Sequence, residues 1–400
     1  MRIGIDCRTI LNPGFGEQAG VGHYTYFLVR HLLRLDQANE YVLFFDDAVS
    51  DTAIGELVAG RPNTIIRRFP FHAYRRFLPF AYAHMMAASF IARERCDVFH
   101  APGGLLPYQY KGASLITVHD LAILMHPEWF PENVLERYAS TRILLPRAIR
   151  QASRIIVPSV ATRSDLIKFF PDTERKAVVI PLGVEAPEAV SFGDGKIALE
   201  EEMATADIRA KFRLGPRYLL YVGTIEPRKN IAALIRAFRH LRESDDVFHN
   251  VTLAIAGAKG WKYADVEKEI AAANQEFSPA KPVRFFGYVS HGDKWLLLKH
   301  AEAFVFPSRY EGFGLPVLEA MSVGTPVITS NRSSLPEVVG EAGILVNPDH
   351  DEEIREAMKQ MLEDDALRKR LGAQGEIRAK EFTWIKTAEY TLEAYKTVGE

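Results

Sequence analysis

Glu311 and Glu319 stand eight positions apart in the run S-R-Y-E-G-F-G-L-P-V-L-E, Ser308 to Glu319. Between them lie Gly312, Phe313 and Gly314, followed by Leu315 and Pro316. Carboxylates accept hydrogen bonds from hydroxyl groups, and glycines let backbone N–H groups approach a ligand closely. The set suits a polyhydroxylated, phosphorylated ligand, which is the chemistry of a sugar nucleotide. A strand is expected over Ala303–Pro307, and Pro316 suits the first turn of a helix. Glu311 then falls in the loop and Glu319 on the helix. A continuous helix would separate the two acids by roughly 12 Å, and the loop permits another spacing, so each acid can meet a different part of one extended ligand. Glu319 also reads simply as a negative charge favourable near a helix N-terminus.

A second cluster follows the strand expected from Tyr218 to Val222. The run G-T-I-E-P-R-K-N, Gly223 to Asn230, leads into a helix, with Asn230 expected as its N-cap. Arg228, Lys229 and the orphan N–H groups of the helix start favour a diphosphate; the plainer alternative is a solvated basic pair. In the first half, Gly20 and Gly22 stand where the first helix begins, again a place for an anion or simply a turn. The strand from Ser114 to Val118 runs into His119 and Asp120, so His119 would face a cleft as acid, base or hydrogen-bond donor. A structural histidine held by Asp120 is the alternative. His100, which ends another strand, and His126, farther into its loop, are further candidates. Asp349, His350 and Asp351 form a D-x-D triplet, but Asp349 with Glu352 fits a capping box better than a metal site, so no metal is expected.

The elements that must position these residues alternate. Strands are expected at 2–6, 41–46, 64–69, 97–100, 114–119 and 154–159, with helices at 21–35, 78–94, 131–151 and 160–169. The second half repeats the rhythm with strands at 217–223, 251–257, 283–287, 303–307, 325–330 and 343–346. Its helices are expected at 230–243, 263–275, 292–300, 316–323 and 351–379. Strands separated by helices make βαβ units and parallel sheets, and two such sets make an α/β protein of two doubly wound domains. A length of 400 residues fits two domains. The division places an N-terminal domain at 1–183, a linker or insertion at 184–214, and a C-terminal domain at 215–382.

Composition limits the function classes. A net charge of −2 gives no global argument for nucleic acid. Two cysteines, Cys7 and Cys96, offer no metal-like spacing and no disulfide framework, which fits a reducing, cytoplasmic setting. The opening M-R-I-G-I-D reads as a strand and not a signal peptide, and no apolar stretch is long enough to span a bilayer. One patch departs from neutrality. Residues 67–86 interleave Arg67, Arg68, Arg75 and Arg76 with aromatics and end in two methionines. Such a surface suits peripheral contact with an anionic membrane; a core helix after a Pro-rich loop, its arginines reaching outward, fits equally, and nucleic acid is a third reading that no recognised module supports.

Together these residues resemble the retaining glycosyltransferases of family 4, which have the GT-B fold. The resemblance rests on E-G-F-G-L-P-V-L-E, on A-M-S-V-G-T-P-V-I-T-S from Ala320, on S-S-L-P-E-V-V-G from Ser333 and on E-A-G-I-L-V-N-P from Glu341. The run from Gly223 to Asn230 matches that family's phosphate segment, except that some relatives begin it G-R where this chain has Gly223 and Thr224. V-H-D-L from Val118 and H-P-E-W-F from His126 look like the subgroup of bacterial mannosyltransferases of surface polysaccharide synthesis.

The resemblance implies two Rossmann-like domains facing a central cleft, with the residues from Phe382 and Trp384 onward (383–400) crossing back to the first domain. It implies that Glu311 holds the donor sugar, that Gly312, Phe313, Gly314 and Leu315 line the sugar or phosphate, and that Glu319 binds the ribose. Arg228 and Lys229 would neutralise the diphosphate, Gly20 and Gly22 would line its other side, and Tyr288 and Val289 would flank the base. His119 would contact the sugar near its reacting carbon, with His100, Asp120 and His126 as acceptor-side candidates. The implied reaction moves mannose from GDP-mannose to a lipid-linked or growing glycan with retention, without cofactor or metal. A UDP-sugar is the nearest alternative. An NAD-dependent oxidoreductase would need a full glycine fingerprint beside Asp46 or Asp47, and that spacing fails. A non-catalytic sugar-nucleotide-binding protein would need no turnover from Glu311.

Overall fold

The computed structural model describes residues 1–11, 20–69, 80–131, 143–185 and 208–399. The chain divides into two compact units. One holds Met1–Leu124, Asn133–Gly183 and Trp384–Glu400, the other Met125–Glu132 and Val184–Thr383. Two details differ from the sequence expectation. The short segment Met125–Glu132 groups with the second unit, and so does the end of the expected linker, where residues 208–212 are helical and Ile208 is buried. The middle of that linker, 186–207, lies outside the described residues.

The first unit is built on β1 (Arg2–Asp6), β2 (Glu40–Asp46), β3 (Thr64–Phe69), β4 (Val98–Ala101), β5 (Ser114–Thr117), β6 (Arg154–Val157) and β7 (Ala177–Val179). They form one sheet in the order β3-β2-β1-β4-β5-β6-β7, parallel throughout. The second unit contains β8 (Arg217–Val222), β9 (Val251–Ala256), β10 (Val283–Phe285), β11 (Ala303–Phe306), β12 (Val327–Ser330) and β13 (Gly343–Val346). Their order is β10-β9-β8-β11-β12-β13, again parallel. Both sheets are doubly wound. The direction of winding reverses between β1 and β4 and between β8 and β11, and ligands of such sheets bind beyond the strand ends at that reversal.

The residue types explain these strands. A parallel sheet covered on both faces takes nearly continuous apolar runs. β9 reads V-T-L-A-I-A and is buried at every position, and β11 reads A-F-V-F and is buried throughout. At the end of β9 the backbones approach so closely that a Cβ on Gly257 would stand 1.9 Å from the Gly223 carbonyl oxygen.

The expected helix over 351–379 is two helices, Asp351–Glu363 and Asp365–Ala379. Asp364 adopts extended backbone between them, and its Oδ1 accepts the Leu367 N–H at 2.8 Å, an N-cap inside an otherwise continuous helical pattern. Most of the expected helix 131–151 lies outside the described residues, and its end forms Leu145–Gln151. The helices Asp51–Val58 and Leu335–Val339 and the strand β7 were too short to stand out in the sequence.

The helix Trp384–Lys396 belongs to the first unit. Trp384 stacks on Phe27 of the helix Gly20–Leu35 at 5.3 Å between centroids. Thr387 donates to the Pro181 carbonyl at 2.8 Å. Among the described residues no helix is long and apolar enough to cross a membrane. Trp384 is 2 % exposed, so Trp384→Ala should destabilise the first unit by about 3–5 kcal/mol, measured as a lower urea midpoint for that unit's transition.

Candidate active site

In the second unit the winding reverses between β8 and β11, and the loops after these two strands carry both sequence clusters. The chain leaves β8 through Gly223 and makes a single 3₁₀ turn at Pro227–Lys229 before the helix Ile231–Ser244. It leaves β11 at Ser308. The two loops are sewn together by backbone: the Arg309 N–H donates to the Arg228 carbonyl at 2.7 Å, and Ser308 Oγ lies 3.1 Å from the same oxygen. Gly314 opens the helix Leu315–Ser322 with φ 108°, a region that favours glycine. A Cβ there would also stand 2.7 Å from Leu335 Cδ2. Ser334 Oγ fixes the turn from the other side, at 2.9 Å from the Glu311 carbonyl and 2.8 Å from that of Phe313. Leu315, at the first helical position, carries one of the N–H groups that have no acceptor within the helix.

This framework brings Glu311, Arg228 and Lys229 together. Lys229 Nζ donates to Glu311 Oε1 at 2.5 Å, and Arg228 Nη1 to Oε2 at 3.0 Å. Arg228 also donates to the Tyr310 carbonyl at 3.1 Å. The Lys229 ammonium lies 5.0 Å from the centre of the Phe306 ring. Sequence reasoning missed a fourth member, Glu226, whose Oε1 lies 2.6 Å from Arg228 Nε and which is 5 % exposed. Its signal was present as the acid of E-P-R-K, two positions before Arg228 on a turn that returns it to the same guanidinium.

Burial disfavours every charge in this cluster, and the partners decide the outcome. Burial alone would raise the Glu311 carboxyl, but Lys229 and then Arg228 outweigh it and hold Glu311 below the usual range. Lys229 is lowered by burial, which Glu311 only partly offsets. Glu226 is raised, because burial outweighs Arg228 and Lys229 and because Glu311 adds like charge.

Glu319 lies on the helix Leu315–Ser322 and is 6 % exposed. Lys294, from the helix His291–Lys299, donates to its Oε1 at 2.7 Å. The sequence offered no signal for Lys294, which sits 25 positions earlier on a different helix. Tyr288 is strongly exposed and Val289 half-buried in the loop between β10 and that helix.

His126 comes to this unit with its segment. Its ring stacks on Trp129 at 3.9 Å and lies 6.3 Å from the ring of Tyr310. The segment is fastened where Trp261 Nε1 donates to the Trp129 carbonyl at 2.8 Å and Lys262 Nζ to that of Glu128 at 2.6 Å.

Two local expectations are corrected. Asn230 is not a side-chain cap: its backbone is left-handed, and its amide donates to the Pro348 carbonyl. The capping box of Asp349 with Glu352 does not form. Asp349 binds Arg309 at 3.0 Å and Arg332 at 2.7 Å, Glu352 binds Arg355, and Asp351 binds Arg236 at 2.7 Å. Among the described residues no three His, Cys, Asp or Glu side chains gather as a metal site.

In the first unit, His119 follows β5 and packs edge-on against Tyr24 at 4.8 Å. Its Nε2 lies 2.8 Å from the Pro102 carbonyl. A carbonyl only accepts, so Nε2 carries the proton. Burial lowers the imidazole, against the pull of Pro102 and Asp120, and the neutral ring presents Nδ1 as an acceptor. Asp120 Oδ1 accepts the Ala122 N–H at 3.0 Å. His100 is fully buried between Tyr395 at 2.8 Å and Thr117 at 2.9 Å, and burial takes it down to about 3. With both nitrogens occupied, His100 is a core residue and cannot meet an acceptor. Gly20 is exposed and Gly22 buried at the start of the first helix; the loop before them, 12–19, lies outside the described residues. Of the arginine-rich patch, Arg67 pairs with Glu94 and Arg68 with Asp51 at 2.5 Å, while Arg75 and Arg76 lie outside the described residues.

Comparison with known proteins places both halves in glycosyltransferase families. Residues 19–186 match Glycosyltransferase Family 4, and residues 204–378 match Glycosyl transferases group 1. The chain is 32% identical to the O-antigen chain mannosyltransferase B of Escherichia coli over 94% of this chain and 96% of that one. It is 33% identical to the serotype-specific mannosyltransferase WbdA of Escherichia coli over 50% of this chain and 25% of that protein. In fold it is similar to Anabaena HepE, solved in complex with UDP and glucose, with a TM-score of 0.73 and 17% identity over 99% of this chain and 100% of the other.

The charge cluster makes a stability prediction. Glu311 is held low, so its stabilising contribution is complete above the usual carboxyl value of about 4.3 and is lost as pH falls through its folded-state value. Lys229→Met should cost about 3–5 kcal/mol at neutral pH by leaving a buried charge short of its partner. The gap from the unaltered protein should narrow on acidification below about pH 4.3, followed by chemical denaturation across pH.

Proposed function

The chain belongs to the family 4 glycosyltransferases, and from that membership we propose that it moves mannose from GDP-mannose to a lipid-linked or growing surface glycan, with retention at the anomeric carbon. The observation that carries the proposal is Glu311, a buried carboxylate held ionised by Lys229 and Arg228 where the winding of a doubly wound sheet reverses. Mannose as the sugar is supported by the mannosyltransferases among the similar relatives, and a surface glycan by the O-antigen chain enzyme.

The residues divide the work by chemistry. Glu311 accepts hydroxyls of the sugar, and Glu319, with one oxygen held by Lys294, offers the other to the ribose. Arg228 and Lys229 stabilise charge that builds on the leaving diphosphate as the sugar becomes oxocarbenium-like, in place of a divalent ion. The acceptor hydroxyl attacks on the face that the phosphate leaves, its oxygen bonds to the anomeric carbon, and the departing phosphate takes its proton. His119, with Nδ1 as an acceptor, serves a sugar hydroxyl and not a negative oxygen.

A ligand that binds only the folded state raises its melting temperature. GDP and GDP-mannose should raise it more than UDP, ADP and their sugars, in a thermal-shift series. A larger rise with UDP-glucose would move the proposal to a UDP-sugar, and no rise with any of them would end it. In the same preparation Glu311→Ala should lose at least about 100-fold in kcat per folded molecule, the scale of one lost electrostatic contact in a transition state, beyond the stability it loses by leaving Arg228 and Lys229 without their shared carboxylate.

Contact with the cytoplasmic face of the inner membrane through residues 67–86 belongs to the same proposal. The full chain should co-sediment with anionic liposomes and not with neutral ones, and its release by salt would mark the attraction as electrostatic.

A further inference from the structure

The donor site as described has an electrostatic difficulty. The diphosphate needs Arg228 and Lys229, but both cations already face carboxylates: Arg228 faces Glu226 at 2.6 Å and Glu311 at 3.0 Å, and Lys229 faces Glu311 at 2.5 Å. Two acids and two bases cancel, and all four side chains are largely buried. A diphosphate diester adds two negative charges to this neutral, desolvated cluster, where repulsion is poorly screened. One negative charge must leave. Glu311 has a cation paired with each of its two oxygens, whereas the ion pair on Glu226 is with Arg228 Nε, and Lys229 adds a smaller pull.

We propose that Glu226 is the resident counter-ion of Arg228 and that it takes up a proton from solvent when the nucleotide sugar binds, releasing the guanidinium to the diphosphate. The step is an acid–base exchange. A carboxylate becomes a carboxylic acid, no other covalent bond changes, and the proton returns to solvent when the nucleoside diphosphate departs. The neutral acid stays beside Arg228 and keeps it placed, so Glu226 is a positioning residue acting through Arg228.

The surroundings agree with this choice. Burial pushes the Glu226 carboxyl up while Lys229 and Arg228 hold Glu311 down. Other titratable groups packed around the cluster are otherwise engaged. Tyr221 on β8 is held neutral by burial, with Glu311 and Glu226 adding to the effect. Lys259, in the loop after β9, pairs with Glu267 at 2.5 Å, and Arg309 pairs with Asp349 at 3.0 Å. His126, on the segment beside Tyr310, contacts Glu128 at 3.1 Å.

This inference rests on the nucleotide-sugar reading, and one experiment separates the two. GDP-mannose, UDP-glucose and ADP-glucose are titrated into the full chain by calorimetry, from about pH 6 to 8.5, in buffers of different ionisation enthalpy. Sugar nucleotides are the probes because a diphosphate diester lacks the phosphate ionisation near pH 6 that a free nucleoside diphosphate carries. The bound donor should take up protons, approaching one per site, and its Kd should rise by up to about tenfold per pH unit over the uptake range. Glu226→Gln, which resembles the protonated acid, should bind without uptake and with a flat pH profile, while His126→Ala should keep the uptake. Binding to the unaltered chain without proton uptake overturns the proposal whether or not the variants fold. Uptake that persists in Glu226→Gln also overturns it. Failure of all three probes to bind overturns the nucleotide-sugar reading, and this proposal with it.

Discussion

The ion pairs on Glu311 are the constraint around which the second unit is arranged. A carboxylate that is 6 % exposed stays charged only with partners in place. Here both partners come from the neighbouring strand's loop, 82 and 83 positions away in sequence. That requirement brings the ends of β8 and β11 together. The backbone bond from Arg309 to Arg228, the glycine turn at Gly314 and the hydroxyl of Ser334 each hold one side of the arrangement. The parallel sheet supplies the rest. Its buried apolar strands are stiff, so the loops they carry hold charges in fixed positions.

Balanced charge also sets what the site can accept. Four charges that sum to zero fold at tolerable cost, whereas two bare cations in the same place would repel each other in a poorly solvated pocket. A site that stores its cations against its own acids is stable when empty and must exchange partners when loaded. Lys294 with Glu319 repeats this arrangement on the next helix. The second unit thus holds its two motif acids in the same way, each against a lysine supplied from outside the motif.

Much of this was legible in the chain. The apolar runs β1, β2, β8, β9 and β11 announce a parallel sheet because both faces are buried. The glycines and proline around Glu311 announce a turn into a helix. Expectations failed where a tertiary partner outbid a local one. Asn230 looks like an N-cap, but its amide goes to the Pro348 carbonyl. Asp349 looks like half of a capping box, but two arginines claim it. His100 ends a strand as a functional histidine would, yet Tyr395, 295 positions away, fills its Nδ1 side. The helix over 351–379 read as continuous because a single extended residue, Asp364, leaves the apolar period on both sides intact.

The sequence by itself determined the class of fold, its run of alternating strands and helices, and three members of the charge cluster, Glu311, Arg228 and Lys229. Short-range chemistry sets these, since residue type, spacing and glycine placement act within a few positions. Only the tertiary structure decided which acid faces which base. It placed Glu226 on Arg228, set Lys294 on Glu319, fixed the proton of His119 on Nε2 through the Pro102 carbonyl, and carried His126 to the side of Tyr310. Those pairings join loops from different strands. Their energies depend on burial and distance, and neither is written in the order of residues along the chain.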